Sequence, residues 1–300
     1  MGHFFTHVFE PGLLSSGPVR LAALVGAVVA ITSGVVGVFT VTRGQSFAGH
    51  SLADVATTGG SGAFLVGLNQ FWGFLAFGIG AAAFLEAIGV QRRRGRDVAT
   101  GVMLGAALGV AALFLYLGTQ TSSTTGASFT VLFGSLFVIS SSTVPALVAS
   151  GLVALAVVIV LSRVLLLSSL SPDIAAARGV PVRAVGAAYL IALAVSVSLS
   201  AVAIGAVLST ALLIGPAATA LRLVKGPVRA MVTAALTGVV ATWLGIILAY
   251  DSYYWPPHGH GWPVSFFVVA FVVVFYLLTY LHQPARRTPG QTGERACSPA

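Results

Sequence analysis

The sequence predicts an all-α fold, a polytopic membrane helix bundle of eight or nine transmembrane helices, and three observations carry that expectation. Of 300 residues, 57% are hydrophobic and only 7% charged, with a mean hydropathy of +0.99, far more apolar than a surface in contact with water sustains. The apolar residues fall into runs of about 20, the length that crosses a hydrocarbon core. Basic residues gather in the gaps between runs: Arg92, Arg93, Arg94 and Arg96; Arg163, Arg178 and Arg183; Arg222, Lys225 and Arg229; Arg286 and Arg287. The net charge of +8 therefore reads as cytoplasmic loops under the positive-inside rule, with no nucleic-acid partner and a lipid bilayer as the medium.

The elements follow in order. The opening MGHFFTHVFEPG lacks the basic n-region and small-residue cleavage site of a removable signal, so the first run is expected to stay as a span. Apolar runs cover 21–42, 64–90, 99–118, 144–162, 184–203, 205–221, 231–249 and 263–281. Whether 45–67 adds a ninth is open, because it holds His50, Asp54 and the breaker cluster Thr57, Thr58, Gly59 and Gly60. Placing the basic clusters in the cytoplasm makes the chain alternate regularly from residue 92 onward and leaves the C-terminus inside. Between Arg183 and Arg222 both ends then face the cytoplasm, which calls for two tight passes with a turn near Ile204 and Gly205, or for broken helices lining a cavity. Small residues throughout that stretch allow close helix contact. The segment 129–140 is too short to span and reads as an interfacial or half-spanning helix on the outer side. Residues 1–282 are expected to form one transmembrane domain. Residues 283–300, rich in Pro, Arg, Gly and Thr, are expected to be a disordered tail.

One cytoplasmic loop, SLSPDIAAARGVPVR, is written like a short helix with designed ends. Ser171 suits the N-cap and Pro172 the first helical position; Asp173 complements the dipole, Ala175 to Ala177 propagate the helix, and Gly179 supplies the stop. A solvated turn that ends neatly would look similar; a docking helix for a cytoplasmic partner explains more of it. Together SPDIAAARGVPVR and AIGAVLSTALLIGPAATALRL, with GVFTVTRGQSFAGHSLADV and LFGSLF earlier, resemble the permeases of the zinc and manganese branch of ATP-binding-cassette importers, across about residues 20–280. The resemblance implies a type II importer permease-like fold and transport of Zn2+ or Mn2+, zinc foremost, with no permanently bound cofactor. It implies cytoplasmic ATPase subunits, an extracytoplasmic metal-binding protein that delivers the ion, and a second permease copy as a homodimer. Ser171, Pro172, Asp173, Ala176 and Gly179 would then belong to the helix that couples to the ATPase. The family commonly has Asp first and His four residues later at its first motif; here His50 precedes Asp54, which keeps both ligand types at i, i+4 spacing.

Seven acidic residues are few enough to take singly. Only Asp54 and Glu86 fall at membrane depth, where a carboxylate needs a partner or a polar cavity. Glu86 can snorkel toward Arg92. Asp54 has no basic residue at i+3 or i+4, and its nearest helical partner is His50. Carboxylate and neutral imidazole suit Zn2+, Mn2+ or Fe2+, and a mutually hydrogen-bonded lock is the alternative. Two ligands make an incomplete site, which suits an ion that must leave again; a second copy, water, or backbone near Gly59 and Gly60 would complete it. His258 and His260, in the outer loop YYWPPHGHGWP, form a second candidate metal pair amid aromatic-belt residues. The lone Cys297 excludes an intramolecular disulfide and a cysteine metal site. No GxxxxGK[ST] loop is present, so the chain is expected to be a transport subunit and not itself the ATPase. Competing readings are an ion-coupled secondary carrier relaying protons through Asp54 and Glu86, a non-transporting scaffold, and an iron or cobalamin importer permease of the same broad class.

Overall fold

The computed structural model describes residues 17–87, 93–121, 126–134, 136–255 and 261–282. Among them are eleven α-helices: α1 (Gly17–Thr42), α2 (Ser46–Leu65), α3 (Gln70–Ala87), α4 (Arg93–Thr121), α5 (Gly126–Phe133), α6 (Val144–Leu170), α7 (Pro172–Ala177), α8 (Val182–Ile204), α9 (Ser209–Leu223), α10 (Pro227–Asp251) and α11 (Val264–His282). Six of these, α1, α3, α4, α6, α8 and α10, are long and apolar enough to cross a membrane, and α9 and α11 are shorter apolar helices. The tail 283–300, with Cys297, and the His258 and His260 loop lie outside the described residues.

α1 and α8 form the centre. Val25, Val29, Val36 and Phe39 of the first and Tyr189, Leu193, Val197 and Leu199 of the second are fully buried. Their seam also carries hydroxyls: Ser33 Oγ lies 2.7 Å from Ser200 Oγ. Small side chains let the two backbones approach, and the paired hydroxyls satisfy each other where no water is at hand. α2, α3 and α4 pack on one flank of this centre and α9, α10 and α11 on the other.

The two ends of the bundle differ in chemistry. Arg43, just after α1, donates from Nη1 to Ser168 Oγ near the end of α6 at 3.2 Å and stacks 5.2 Å above the Tyr189 ring near the start of α8. Arg222, in the last turn of α9, donates to the Tyr276 hydroxyl of α11 at 3.3 Å. Arg43 and Arg222 thus lie at the same end as the helix links and adjoining first turns that carry Arg178, Arg183, Lys225 and Arg229, the basic end. At the opposite end Asn69, before α3, donates from Nδ2 to Thr143 Oγ1, before α6, at 2.7 Å. There Trp255, Trp262, Phe266 and Phe267 cluster, and Trp255 Nε1 donates to Asp251 at 3.1 Å, the composition of a membrane interface.

Two expectations change in detail. The apolar run 64–90 is divided: α2 ends at Leu65, Gly67 turns the chain with φ 77°, and Asn69 Oδ1 accepts from the Phe71 N–H at 3.0 Å as a cap for α3. Hydropathy reads through this turn because Phe64, Leu65, Val66 and Leu68 surround it. The breaker cluster does not break anything: Thr57 to Gly60 lie inside the continuous helix α2, and a Cβ at Gly59 would overlap the Gly73 carbonyl of α3, as one at Gly73 would overlap that of Gly59. The two glycines exist there for backbone contact between helices, so Gly59 and Gly60 are not an open stretch of carbonyls for an ion.

The helix expected over 129–140 is realised only as α5, the eight residues Gly126–Phe133; residues 136–138 form a turn and 139–140 are irregular. α8 stops at Ile204, Gly205 adopts φ 93°, and α9 begins at Ser209 with 15 residues, about 22 Å against a core of about 30 Å. A break of this kind leaves backbone N–H groups that must be satisfied at depth. The carbonyls ending α5 do this: Ala206 N–H donates to Val131 O at 3.2 Å and Val207 N–H to Leu132 O at 3.4 Å. Gly134 and Gly205 touch backbone to backbone, and a Cβ on either would overlap the other segment.

Candidate metal-transit site

α2, although 20 residues long, is not among the six helices apolar enough to span, yet Ser51, Leu52 and Ala53 are fully buried by the α3, α4 and α8 around it. Burial by neighbouring helices supplies what its own side chains do not. Its 20 residues rise about 30 Å, and Asp54 lies about 12 Å from the end nearer the basic face. The residues Phe47, His50, Asp54, Thr57 and Ser61 follow one another at spacings of three or four and share a helix face.

The pair stands at the edge of the buried region. His50 Nε2 is 3.7 Å from Asp54 Oδ2, with the imidazole 45% exposed and the carboxylate 8%. That separation exceeds a hydrogen bond, and Asp54 Oδ2 has no hydrogen-bond partner. Gln45 Oε1, at the start of α2, is likewise buried without one. Beyond Asp54 the column continues in hydroxyls that give their protons to backbone: Thr57 to Ala53 O at 2.8 Å, Thr58 to Ala107 O of α4 at 2.8 Å, and Ser61 to Thr57 O at 2.9 Å. Each hydroxyl oxygen keeps lone pairs for a cation. A locked pair would show the carboxylate engaged; here one oxygen is left open beside an imidazole that faces outward. Among the described residues no three His, Cys, Asp or Glu side chains converge, so the pair is an incomplete ligand set within one chain.

The other candidates separate by position. Glu86, in the last turn of α3, is half-buried at the basic end, and its expected partner Arg92 lies outside the described residues. His258 and His260 do too. At the basic end α7 follows α6 directly, with Ser171 serving as the end of one helix and the N-cap of the other. Its hydroxyl makes no capping bond; the Ser171 carbonyl accepts from the Ala175 N–H at 3.1 Å. Ser171 is extended and places the turn through its backbone, so the side-chain cap read from the sequence is not formed. Gly179 at φ 76° ends the helix, and Val180 N–H closes back on Ala175 O at 3.1 Å. Ala175 is fully buried against the bundle, while Ile174 is 51% exposed beside exposed Asp173, Ala176 and Arg178. An apolar knob rimmed by charge, held on a rigid turn, is suited to docking. Sequence reasoning missed Gln45, Thr58, Arg43 and Tyr189; only Arg43 carried a signal, as a cation three residues before the start of α2.

Comparison with known proteins adds the family. The model of the ABC 3 transport family matches residues 18–279. The chain belongs to the ABC 3 transport family. It is thus a multi-pass membrane protein, consistent with its apolar helices. This ABC 3 chain is 30% identical over 246 residues to the manganese transport system membrane protein MntC of Listeria innocua, covering 81% of this chain and 85% of the relative. It is 28% identical over 282 residues to the manganese import system permease protein ScaB of Streptococcus parasanguinis, covering 93% and 95%. Among solved structures, PsaBC from Streptococcus pneumoniae in complex with Fab superposes with a TM-score of 0.77 at 23% identity over 93% of this chain and 95% of that one, a likeness of fold.

Proposed function

We propose that the chain is the membrane permease of an ATP-driven importer of a transition-metal dication, with manganese as the ion. Zinc, favoured by sequence resemblance, gives way because the relatives quoted above carry manganese in their names. The observation that carries the reading is Asp54: a buried carboxylate at the edge of the packed region with an open oxygen, one helical turn from an outward-facing imidazole. A harder ion such as Mn2+ is suited by carboxylate and hydroxyl oxygens, which is what Asp54 and the hydroxyls of Thr57 and Thr58 next to it offer. The ligand set is completed by a second copy of the chain, whose own His50 and Asp54 would face the first pair, or by water.

On this reading the basic end is cytoplasmic, the C-terminus with it, residues 1–282 are the transmembrane domain, and α7 docks an ABC ATPase through Ile174, with Ser171, Pro172, Asp173, Ala176 and Gly179 shaping the contact. An extracytoplasmic binding protein delivers the ion at the aromatic end, where His258 and His260 are a candidate receiving pair. ATP hydrolysis occurs in the partner, and its closure shifts the bundle between openings. The test is radioactive manganese uptake by cells expressing the chain with its ATPase and binding protein, with zinc as competitor. Uptake that survives both His50→Ala and Asp54→Asn removes the transit site. Uptake driven by a pH gradient with no ATPase present would instead install the secondary carrier.

A further inference from the structure

The transit helix and the docking helix are separate in sequence but joined by one side chain. Arg43 lies in the three-residue link between α1 and α2, with Gly44 at φ 62° and the Gln45 N–H donating to Thr40 O at 2.9 Å. Its guanidinium reaches two other helices. Toward α6 it donates to Ser168 Oγ at 3.2 Å, and Ser168 in turn donates to Leu165 O at 3.0 Å. Toward α8 it stacks 5.2 Å above the Tyr189 ring. Tyr189 is fully buried, and its hydroxyl lies 2.8 Å from Thr40 Oγ1, which itself donates to Val36 O at 3.0 Å. The guanidinium is thus anchored to α6 through Ser168 and to α8 through Tyr189, whose hydroxyl ties back to α1 at Thr40.

α6 runs into α7 without a linker, and α8 starts after only a short turn beyond α7. Ser168 is four residues before Pro172, and Tyr189 is twelve after Ala177. A displacement of α7 therefore reaches Arg43 through both flanking helices. Seven residues further on stands His50. The geometry points to Arg43 as the positioning residue that transmits movement of α7 to the transit helix α2, with Ser168 and Tyr189 as its two grips. This rests on the proposed function above and adds to it the route by which docking reaches the ion pair. Lysine could keep the charge but not the planar stack on Tyr189 with a simultaneous bond to Ser168.

The test uses the full complex of chain, ATPase and binding protein in proteoliposomes, with manganese uptake and ATP hydrolysis measured in the same vesicles. In Arg43→Ala the manganese moved per ATP falls about ten-fold, within the range of coupling between sites, while complex yield and hydrolysis rate stay near wild type. Arg43→Lys gives an intermediate ratio, and adding Ser168→Ala to Arg43→Ala changes nothing further, as expected for members of one network. An unchanged ratio in Arg43→Ala, or uptake and hydrolysis falling in parallel, overturns the assignment. Should Arg43→Ala fail to assemble, unchanged ratios in both Arg43→Lys and Ser168→Ala overturn it equally. A second readout is independent of the cargo: in a Cys297→Ser background, His50→Cys is labelled by a thiol reagent with and without a nucleotide trap. Labelling that responds to nucleotide with Arg43 present and not in Arg43→Ala supports the route; an equal response in both rejects it. A wild-type complex that hydrolyses ATP and moves no manganese would sink the proposed function, and the labelling would still judge Arg43.

Discussion

Replacing Asp54 by Asn distinguishes a transit ligand from a structural lock by the sign of its effect on stability. The side chain is 8% exposed, its Oδ2 has no hydrogen-bond partner, and His50 stands at 3.7 Å, outside hydrogen-bond reach. A carboxyl group held this way in the empty protein is poorly compensated; an Asp at the centre of a membrane helix is unfavourable by about 3 kcal/mol. Asn keeps the shape and removes the charge but leaves a polar amide to bury, so the empty protein should gain only part of that, about 1–2 kcal/mol. Were the pair a lock, removing one partner would instead cost about 3–5 kcal/mol. The two readings differ by several kcal/mol in opposite directions. Function moves the other way: loss of a direct ligand should exceed the ~10–100-fold effect of losing a group behind one, so manganese uptake falls by at least about 100-fold. The assay pairs thermal unfolding of purified metal-free protein in detergent with uptake in cells. A variant that is less stable than wild type, or that still transports, refutes the reasoning.

Further outcomes follow from packing. Gly59→Ala drives a Cβ into the Gly73 carbonyl; overpacking against backbone costs about 3 kcal/mol less about 1 kcal/mol of helix propensity, a net loss visible in thermal unfolding, whereas Gly105→Ala on open α4 surface should lose nothing. Gly134→Val both overlaps the Gly205 backbone and strains φ 79°, and should uncover the α8–α9 break, measured as faster hydrogen exchange at Ala206 and Val207. Ile174→Asp puts a charge on the exposed knob of α7 and should abolish co-purification of the ATPase while the unfolding temperature stays that of wild type.

What could be read in advance followed the physics of each signal. Hydropathy located the six spanning helices and the shorter apolar α9 and α11 because lipid and core alike demand apolar runs. It left α2 open for the same reason: a helix carrying His50, Asp54 and five hydroxyls is polar by content and survives only because α3, α4 and α8 enclose it. The division at Gly67 and Asn69 was present as a stop glycine followed by a capping residue, but apolar neighbours masked it. The turn at Ile204 and Gly205 was legible from basic clusters on both sides of it. Its closure by α5 was not, since a backbone contact between Gly134 and Gly205 leaves no periodicity in either segment. For the candidate site, the pair itself was legible from scarcity of charge. The open oxygen, the depth of Asp54 against exposed His50, and the reach of Arg43 to Ser168 belong to tertiary packing alone.

The burial pattern of α2 has a mechanical corollary. The outer half of the helix is fixed by backbone contact at Gly59 and Gly73 and by Thr58 on Ala107 O, contacts that yield little without loss of packing. The half nearer the basic end is different: Phe47 and His50 are each 45% exposed, and the link before it is held through Arg43. A helix clamped at one end and steered at the other moves its free end most. That free end carries His50, so in a change of opening the imidazole should shift while Asp54, closer to the clamp, stays nearly in place. Spin-label distances across the bundle would register this as a larger nucleotide-dependent change from Phe47→Cys than from Gly62→Cys in a Cys297→Ser background; equal changes at the two positions would mean that α2 moves as a rigid rod and that the glycine contact slides rather than holds.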